Sequence, residues 1–500
     1  MSDYRLLPRT APDSMELHGN TGPILEYIEN SNFGGRLKDV SRVLTGGRET
    51  HWLEYVPSCY TGQTPVPLVL SMHAGGQSSY GQFYDTAWNT LAETENFLVA
   101  YPDALRNGAW GVNESGSIDK SAHDMQAILA LIEDLAARYN IDRGRIYMQG
   151  MSMGDLMSMQ CGRAFGNILA GIGCCSGPTD PDLLFSDDGS LRENTGPVPV
   201  FQSRGVYDTI ALNPKFPRPL TNVKNREFWR ILDGCREDPA IQTTASEIIA
   251  VYPGEMGDVV YRNMVRHGHY QAVNDAQLAW DLVFSRFRRN EDGTLTRIGT
   301  DCFVPDKNAA ALVDGSEYAY INNKKVKIGG RALIVEAVQQ GPPMPAPGEG
   351  PAKPDGGPAP RGKPGPGAGK MPGPGEEKPM PAMAPGASGE VSGVYVYVPA
   401  AFLSVFGADV TVDGDHALVC FDGKTLEFAK GSTASLVDGR IFNMGMEARL
   451  VDGMLYLPLS WFAEEILGWT CSVHQGAVYL KNGPVTVTED FSRILKEILA

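Results

Sequence analysis

The chain has 500 residues, a length that favours two or more domains over a single core. Its net charge of −16 and a charged fraction of 20% make nucleic acid and other polyanions poor partners. The sequence shows no membrane-spanning run and no export signal, so we expect a soluble protein. Eight cysteines without a C-x-x-C pair predict mostly free thiols, and neither a disulfide framework nor a zinc site.

The first part of the chain, residues 1–290, alternates apolar segments with longer helix-like ones. This pattern is typical of a parallel sheet covered by helices, and it predicts one α/β domain. The clearest helix is residues 124–139, with its apolar residues on one face, and a last helix is predicted over 276–289. The candidate strands are residues 51–57, 67–73, 96–103, 145–150, 197–203 and 258–266.

Residues 341–390 contain 15 Pro and 13 Gly, which together make 56% of the segment. Segments with Pro and Gly above about 25–30% are typically solvated and lack a packed core. We therefore predict a disordered insertion at 341–390.

An internal repeat follows the insertion. Residues 391–421 and 451–480 share the order Val-x-Gly, strand, Pro, short amphipathic helix, Gly, strand, so each copy is predicted to be a strand, a helix and a hairpin. Residues 316–338 read as two strands joined at Gly329-Gly330, and we expect them to pair with residues from 391 onward. The sequence thus predicts a second, small α+β domain over 291–340 and 391–485, followed by a helical tail over 486–500.

Residues 150–154, "GMSMG", match G-x-S-x-G. In that motif the serine lies on a sharp turn between a strand and a helix, and small residues on both sides make the turn sterically accessible. An apolar run precedes this stretch and a helix-like run follows it. Ser152 is therefore the candidate nucleophile.

A nucleophilic serine requires a histidine as base and an acid that orients the histidine, in the chain order Ser, acid, His. Only His267 and His269 follow the serine within the first domain, and His269 is favoured because it follows a glycine in a turn. Asp208 is favoured as the acid since it comes in the loop after a predicted strand. The competing aspartates, in a loop with no strand directly before it, are Asp180, Asp182 and Asp187.

The loop His73-Ala74-Gly75-Gly76 follows another predicted strand and is similar to the HGGG loop that donates backbone N–H groups to an oxyanion. We predict an oxyanion hole formed by Ala74, Gly75 and Met153, the residue after the nucleophile. Tyr80 and Trp110 are candidate aromatics of an acyl pocket, with ordinary core positions as the alternative.

Residues of about 40–290 resemble the poly(3-hydroxybutyrate) depolymerase-like and feruloyl esterase-like esterases. The resemblance is carried by "PLVLSMHAGGQ" (67–77), "RIYMQGMSMG" (145–154), "PVPVFQSRGVYDT" (197–209) and "RHGHYQA" (266–272). It implies an α/β-hydrolase fold and a carboxylic ester hydrolase without a metal or a cofactor. Such an enzyme works through an acyl-enzyme, on polyesters or on acyl groups of plant polysaccharide. Met153 and Asp155 depart from the small residues that such enzymes often have there, which leaves the substrate open.

Residues 316–338 and 391–480 resemble the stalk domain named after the N-terminal part of copper amine oxidases. The paired stretches "VPAAFLSVFGADVTVD" and "LPLSWFAEEILGWTCSV" carry this resemblance, which implies attachment to a surface or binding of a polymer or partner. No copper site is expected, because His416 and His474 have no further ligand at a suitable spacing. Both resemblances favour an extracellular or cell-surface location, whereas the N-terminus without a signal favours the cytoplasm.

Two other functions compete with the esterase. The hydrolase domain could be an inactive scaffold in a surface or adhesion protein, which the complete set of Ser152, His269 and Asp208 argues against. A serine peptidase would use the same acyl transfer, but no repeat that restricts access to short peptides precedes the domain.

Overall fold

A computed structural model describes residues 36–44, 47–105, 108–111, 123–210, 215–338 and 391–500. The predicted disordered insertion, 341–390, lies outside these residues. The first part of the described chain is built on a ten-stranded sheet in the order β1-β2-β4-β3-β5-β6-β7-β10-β9-β8. Its strands are β1 (Leu37–Leu44), β2 (Arg48–Tyr55), β3 (Val66–Met72), β4 (Leu98–Pro102), β5 (Ile141–Met151), β6 (Gly171–Cys175), β7 (Val200–Gly205), β8 (Ala240–Thr243), β9 (Glu247–Tyr252) and β10 (Val259–Met264).

The six central strands are parallel, and the two outer strands at each edge pair antiparallel. Successive side chains of a strand point to opposite faces, so Leu68 and Leu70 join one hydrophobic core while Val69 joins the other. Helices α3, α4 and α6 supply the first core, and α1, α2 and α7 supply the second. The helices are α1 (Ser79–Asp85), α2 (Trp88–Glu95), α3 (His123–Arg138), α4 (Met153–Phe165), α5 (Pro181–Leu184), α6 (Arg218–Leu232) and α7 (Asp275–Leu282).

This arrangement confirms the predicted α/β-hydrolase fold, and the six predicted strands overlap β2, β3, β4, β5, β7 and β10. The prediction of a helix over 276–289 was wrong beyond Leu282. Val283 leaves helical geometry with φ −133° and ψ −63°, and β11 (Phe287–Arg289) then pairs with β12 (Leu295–Arg297). Phe287 is buried in this hairpin. A helix continued to residue 289 could not have paired with β12 in this way.

The C-terminal part is β-rich and contains three further sheets, β15-β14-β13-β26-β25, β16-β17-β24-β23 and β18-β19-β20-β21-β22. Each repeat copy is a strand, a short helical turn and a hairpin, as predicted: β17, residues 400–406, β18 and β19, then β24, residues 459–466, β25 and β26. The strands are β13 (Ala309–Val313), β14 (Tyr318–Ile321), β15 (Lys324–Lys327), β16 (Leu333–Val338), β17 (Val391–Pro399), β18 (Asp409–Asp413), β19 (His416–Phe421), β20 (Lys424–Ala429), β21 (Ala434–Val437), β22 (Arg440–Asn443), β23 (Arg449–Val451), β24 (Met454–Pro458), β25 (Thr470–His474) and β26 (Ala477–Lys481).

Residues 316–338 hold three strands, so the prediction of two was wrong. Gly329-Gly330 separates β15 from β16, while Asn322 and Asn323, both with positive φ, form an earlier turn between β14 and β15. Asparagine tolerates this left-handed conformation, which is why a second turn without glycine is stable there.

The predicted helical tail is α8 (Glu489–Leu499). Phe491, Ile494 and Leu495 belong to the same hydrophobic core as Trp229 of α6. Polar contacts add to this packing, since Arg226 donates to the Glu497 carboxylate at 2.7 Å. The chain beyond residue 290 therefore contributes to the hydrolase core, and the described residues between 36 and 334 form one compact unit with residues 396–500. The division of the sequence at residue 290 stays a prediction.

No helix among the described residues is long and apolar enough to cross a membrane.

Candidate active site

Ser152 lies at the sharp turn between β5 and α4. Its backbone has φ 55° and ψ −113°, a conformation that is rarely populated by residues with a side chain. Gly150 and Gly154 make the turn sterically accessible. A Cβ on Gly150 would lie 2.0 Å from the carbonyl oxygen of Gly154, and a Cβ on Gly154 would lie 2.3 Å from that of Met72. Glycine is therefore required on both sides of Ser152.

Ser152, His269 and Asp208 form one hydrogen-bonded row, although they come from three different loops. His269 Nε2 lies 2.9 Å from Ser152 Oγ, and His269 Nδ1 lies 3.0 Å from Asp208 Oδ1. With its proton on Nδ1, the imidazole donates to the carboxylate and accepts from the serine hydroxyl. Ser152 and Asp208 are both buried, which strengthens these electrostatic contacts.

The row depends on two adjacent parallel strands. Asp208 follows β7, and His269 follows β10, its neighbour in the sheet. The loops meet at Gly205, where a Cβ would lie 2.3 Å from the carbonyl oxygen of His267. The amide of Tyr207 donates to that same oxygen at 2.9 Å. Close packing of the two loops thus brings the carboxylate to the imidazole.

The competing residues lie elsewhere. His267 Nε2 lies 2.7 Å from the carbonyl oxygen of Tyr270, and burial lowers the pKa of His267. Asp182 pairs with Lys215 at the surface, and Asp187 is exposed. Asp180 directly precedes α5.

The second carboxylate oxygen of Asp208 accepts a hydrogen bond from the Arg218 guanidinium. Burial acts to raise the pKa of Asp208, but the hydrogen bond from His269 and the charge of Arg218 outweigh it and hold the pKa below its ordinary value. Asp208 is therefore a carboxylate at neutral pH. Sequence reasoning did not identify Arg218, because an arginine ten positions after the acid carries no recognisable motif.

The loop that carries the predicted oxyanion donors Ala74 and Gly75 packs against the sharp turn at Ser152. A Cβ on Gly75 would lie 2.5 Å from Met153 Sδ, so the backbone of Gly75 touches the side chain of the residue after Ser152. Ala74 and Gly75 line the same cavity as Ser152. The amide of Ala74 has the Gln77 side-chain oxygen at 3.4 Å, a long contact that leaves this donor weakly engaged.

The predicted pocket aromatics, Trp110 and Tyr80, do not line this cavity; both are buried and brace the surrounding structure. Trp110 Nε1 donates to the carbonyl oxygen of His73 at 2.8 Å, and its ring lies 4.8 Å from the His73 imidazole. The Tyr80 hydroxyl donates to Asp39 of β1. Their polar ends are committed to loop and strand contacts, so the acyl-pocket prediction is not supported.

An open cavity of about 410 Å³ lies beside Ser152 and His269. Most of the other side chains around it are polar, and sequence reasoning missed them because no motif shows which residues of α1 and of the loops face inward. The Gln77 amide donates to Asp85 at 3.3 Å, which ties two of them together. The polar lining residues are Gln77, Gln82, Tyr84, Asp85, Tyr270 and Gln271.

Asp155, which stands where related esterases often have a small residue, is fully buried beneath the turn at Ser152. It accepts hydrogen bonds from Arg204 at 3.0 Å and from the amide of Gly177 at 2.7 Å. Burial outweighs the attraction of Arg204 and raises the pKa of Asp155 to about 6. Asp155 is a structural group behind the site and does not line the cavity.

The fold and these contacts define an α/β hydrolase with a serine, a histidine and an aspartate in contact. The relatives of the chain are esterases of the predicted kinds, which confirms the first resemblance. A bifunctional acetylxylan esterase/xylanase of Neocallimastix patriciarum is 31% identical over 266 residues, which are 50% of this chain and 37% of that protein. Feruloyl esterase B of Piromyces equi is 26% identical over 45% of this chain and 43% of its own length. Poly(3-hydroxyalkanoate) depolymerase C of Paucimonas lemoignei is 25% identical over 30% and 36%.

The match thus spans less than half the length of each of these relatives. Among solved structures, an acetyl xylan esterase from Aspergillus awamori has a TM-score of 0.40 at 16% identity, covering 49% of this chain and 98% of that one. A ferulic acid esterase from Anaeromyces mucronatus has a TM-score of 0.33 at 13% identity, covering 54% and 94%. Residues 386–477 match the family model of the copper amine oxidase N-terminal domain, which confirms the second resemblance.

Proposed function

We propose that this chain is a serine carboxylic ester hydrolase that forms an acyl-enzyme on Ser152. The observation that carries the proposal is the hydrogen-bonded row from Ser152 Oγ through His269 to Asp208, beside an open cavity. The esterase relatives support the same reaction class.

In the first half of the proposed reaction, His269 Nε2 takes the proton of Ser152 Oγ while that oxygen bonds to the carbonyl carbon of the ester. Asp208 keeps the imidazole oriented and stabilises its positive charge. The intermediate then collapses: the C–O bond to the alcohol breaks, and Nε2–H protonates the departing oxygen. Water repeats these steps on the acyl-enzyme, which releases the acid and restores Ser152.

The carbonyl oxygen becomes negatively charged in each intermediate and needs N–H donors. We propose that the amides of Met153 and of Ala74 or Gly75 supply them. The contact of Gly75 with Met153 brings the two loops together beside Ser152, which supports this assignment. Each such donor contributes roughly 100- to 1,000-fold in rate in other serine hydrolases.

The polar lining of the cavity favours a short acyl group on a hydroxyl-rich alcohol. Gln82 Nε2 already donates to Ser71 Oγ at 2.9 Å, whereas the buried Gln271 Nε2 donates to no group among the described residues. A long aliphatic chain would leave Gln271 Nε2 without a partner, at a cost of about 1–3 kcal/mol. Sugar hydroxyls can both donate to and accept from these groups. We therefore propose acylated plant polysaccharide fragments as substrates ahead of polyesters.

The plant polysaccharide from which such fragments come is a polymer that does not enter cells, so we propose an extracellular or cell-surface location. The region that resembles a stalk domain would then bind a polymer or surface ligand and hold the esterase near its substrate. This role rests on the resemblance alone.

The test is hydrolysis of p-nitrophenyl esters from acetate to octanoate, of methyl ferulate and of acetylated xylan, with Ser152→Ala as control. We expect turnover that falls with acyl length and is reduced by at least about 1,000-fold in the variant. Equal, negligible rates for both proteins would contradict the esterase and favour the inactive scaffold. Turnover of octanoate above acetate would contradict the proposed substrate class alone.

A further inference from the structure

Arg218 is a charged group at the site that the proposed reaction does not use. It begins α6, and its side chain is 12% exposed. Its guanidinium donates to Asp208 Oδ2 and, at 2.9 Å, to the carbonyl oxygen of Ser176. Asp208 Oδ1 faces His269 Nδ1. The two oxygens of this carboxylate are therefore divided between an imidazole and a guanidinium.

The surroundings of Arg218 disfavour its positive charge. Burial lowers the pKa of Arg218, and the charge of Arg204 acts in the same direction, while Asp208 opposes both. Placing a cation in such surroundings is unfavourable unless an anion compensates it. The bond to Ser176 anchors the guanidinium to the loop after β6, so its position relative to Asp208 is set by two elements.

We propose that Arg218 is a positioning residue that fixes the rotation of the Asp208 carboxylate and draws negative charge away from the oxygen that faces His269. The inference rests on the proposed function, because it assigns Arg218 a role in the same hydrogen-bonded row.

Two consequences follow from this geometry. Without Arg218 the carboxylate is held only by His269 and by the Ile210 amide, which donates to Oδ1 at a long 3.3 Å. It can then rotate more easily about its Cβ–Cγ bond, and the imidazole loses its fixed orientation toward Ser152 Oγ. The full negative charge of Asp208 would also act on His269 and favour the protonated imidazole, which cannot accept the serine proton. The enzyme would then be slower, and it would need a higher pH to reach its active protonation state.

Other charged or titratable groups lie around Asp208, Arg218 and His269, and the variants leave them in place. They are Arg204 and Asp155 beside Arg218, His267 in the loop of the base, Asp275 and Arg262 beside His267, and Asp85 across the cavity.

The experiment compares Arg218→Gln, Arg218→Lys and the control Lys224→Gln. Lys224 lies on the same helix, paired with Glu227 at 2.7 Å on the surface, so the control also removes one positive charge. Two readouts are followed from pH 5 to 9: kcat/KM for p-nitrophenyl acetate, and the rate at which a fluorophosphonate labels Ser152. Labelling requires an activated serine but no particular ester substrate.

We expect Arg218→Gln to lower both rates roughly 10- to 100-fold and to move the acid limb of the pH profile up by about 0.5–1 unit. Arg218→Lys keeps the charge but not the fork of donors, so its limb should stay near that of the parent while its rate falls. The control should match the parent in both readouts. Thermal unfolding checks that each variant is folded, and Arg218→Met, which also removes the charge, takes the same pH test if the Gln variant is not folded.

If the parent is labelled at Ser152 but the acid limb of the Arg218→Gln profile does not shift, the inference is overturned and the proposed esterase function stands. A lowered melting temperature with an unshifted limb has the same meaning, since a purely structural role predicts it. A parent that is not labelled at Ser152 would instead overturn the proposed function, and this inference with it.

Discussion

The hydrolase sheet and the C-terminal repeat region, residues 391–480, require glycine for different reasons. At Gly154, beside the serine, a side chain has no room, because a Cβ would lie 2.3 Å from the Met72 carbonyl oxygen. At Gly453, in the hairpin between β23 and β24, nothing lies within 4 Å of a Cβ, but φ is +80°. The first glycine is required by a strand distant in sequence, the second only by its own backbone conformation.

This difference extends to the folding of the two regions. Asp422-Gly423, Asp438-Gly439 and Asp452-Gly453 each have two positive φ values and join adjacent strands, the geometry of type I′ hairpin turns. Such turns form from local sequence. The turn at Ser152 instead exists only when β3, β5 and α4 are packed together. Substitutions should therefore affect the two regions unequally, and three predictions test this.

The largest effect is expected from Gly154→Ala. The new methyl group would clash with backbone that cannot move aside, so we expect destabilisation of about 3 kcal/mol and loss of fluorophosphonate labelling at Ser152. The matched change, Gly453→Ala, strains only its own turn and should cost about 1 kcal/mol without changing the labelling rate. Urea unfolding and labelling kinetics measure both. Equal losses of stability and of labelling in the two variants would contradict the difference between the two regions.

A smaller effect is expected from Asp155→Asn, and it depends on pH. Burial raises the pKa of Asp155 from 3.8 to about 6, so between these values the folded protein keeps a proton that the unfolded chain releases. The stability from this group is fully present below about pH 4 and is lost as the pH rises through about 6. Asp155→Asn has no carboxyl group at this position, so its stability does not fall in this way.

We therefore expect the parent to lose on the order of 2 kcal/mol relative to Asp155→Asn between pH 4 and pH 7. Urea unfolding at a series of pH values measures the difference. Asp413→Asn, which removes an exposed carboxylate of β18 in the repeat region, serves as the control and should follow the parent. A parent that instead gains stability over this range relative to Asp155→Asn would show that the Arg204 pair outweighs burial.

The smallest effect is expected from Ile441→Ser. Ile441 lies on the edge strand β22 and is 78% exposed, so its replacement should change the free energy of unfolding by less than about 0.5 kcal/mol. Thermal unfolding at two protein concentrations measures this. A loss above about 1 kcal/mol that grows with concentration would mean that another copy covers this edge.

Much of the candidate site was accessible from the sequence because it depends on chain order and on local turns. The glycines around Ser152, the strand before Asp208 and the turn that carries His269 are local features, and the structure brings the three residues into contact. For Trp110 and Tyr80 the sequence left an acyl pocket and an ordinary core position open, and the structure buries both rings away from the cavity lining. An aromatic ring satisfies the same local pattern whether it lines a cavity or braces a loop, and only its hydrogen-bond partners distinguish the two.

The sequence by itself determined the hydrolase sheet, the elbow at Ser152, the two repeat copies and the order of the reactive residues, since each follows from periodicity, turn chemistry or a motif. Only the tertiary structure decided that Arg218 holds Asp208, that polar side chains surround the cavity and that the C-terminal helix completes the hydrolase core. These features join segments as far apart as Arg226 and Glu497. Contacts of that kind are selected by packing and strand order, which no local pattern encodes.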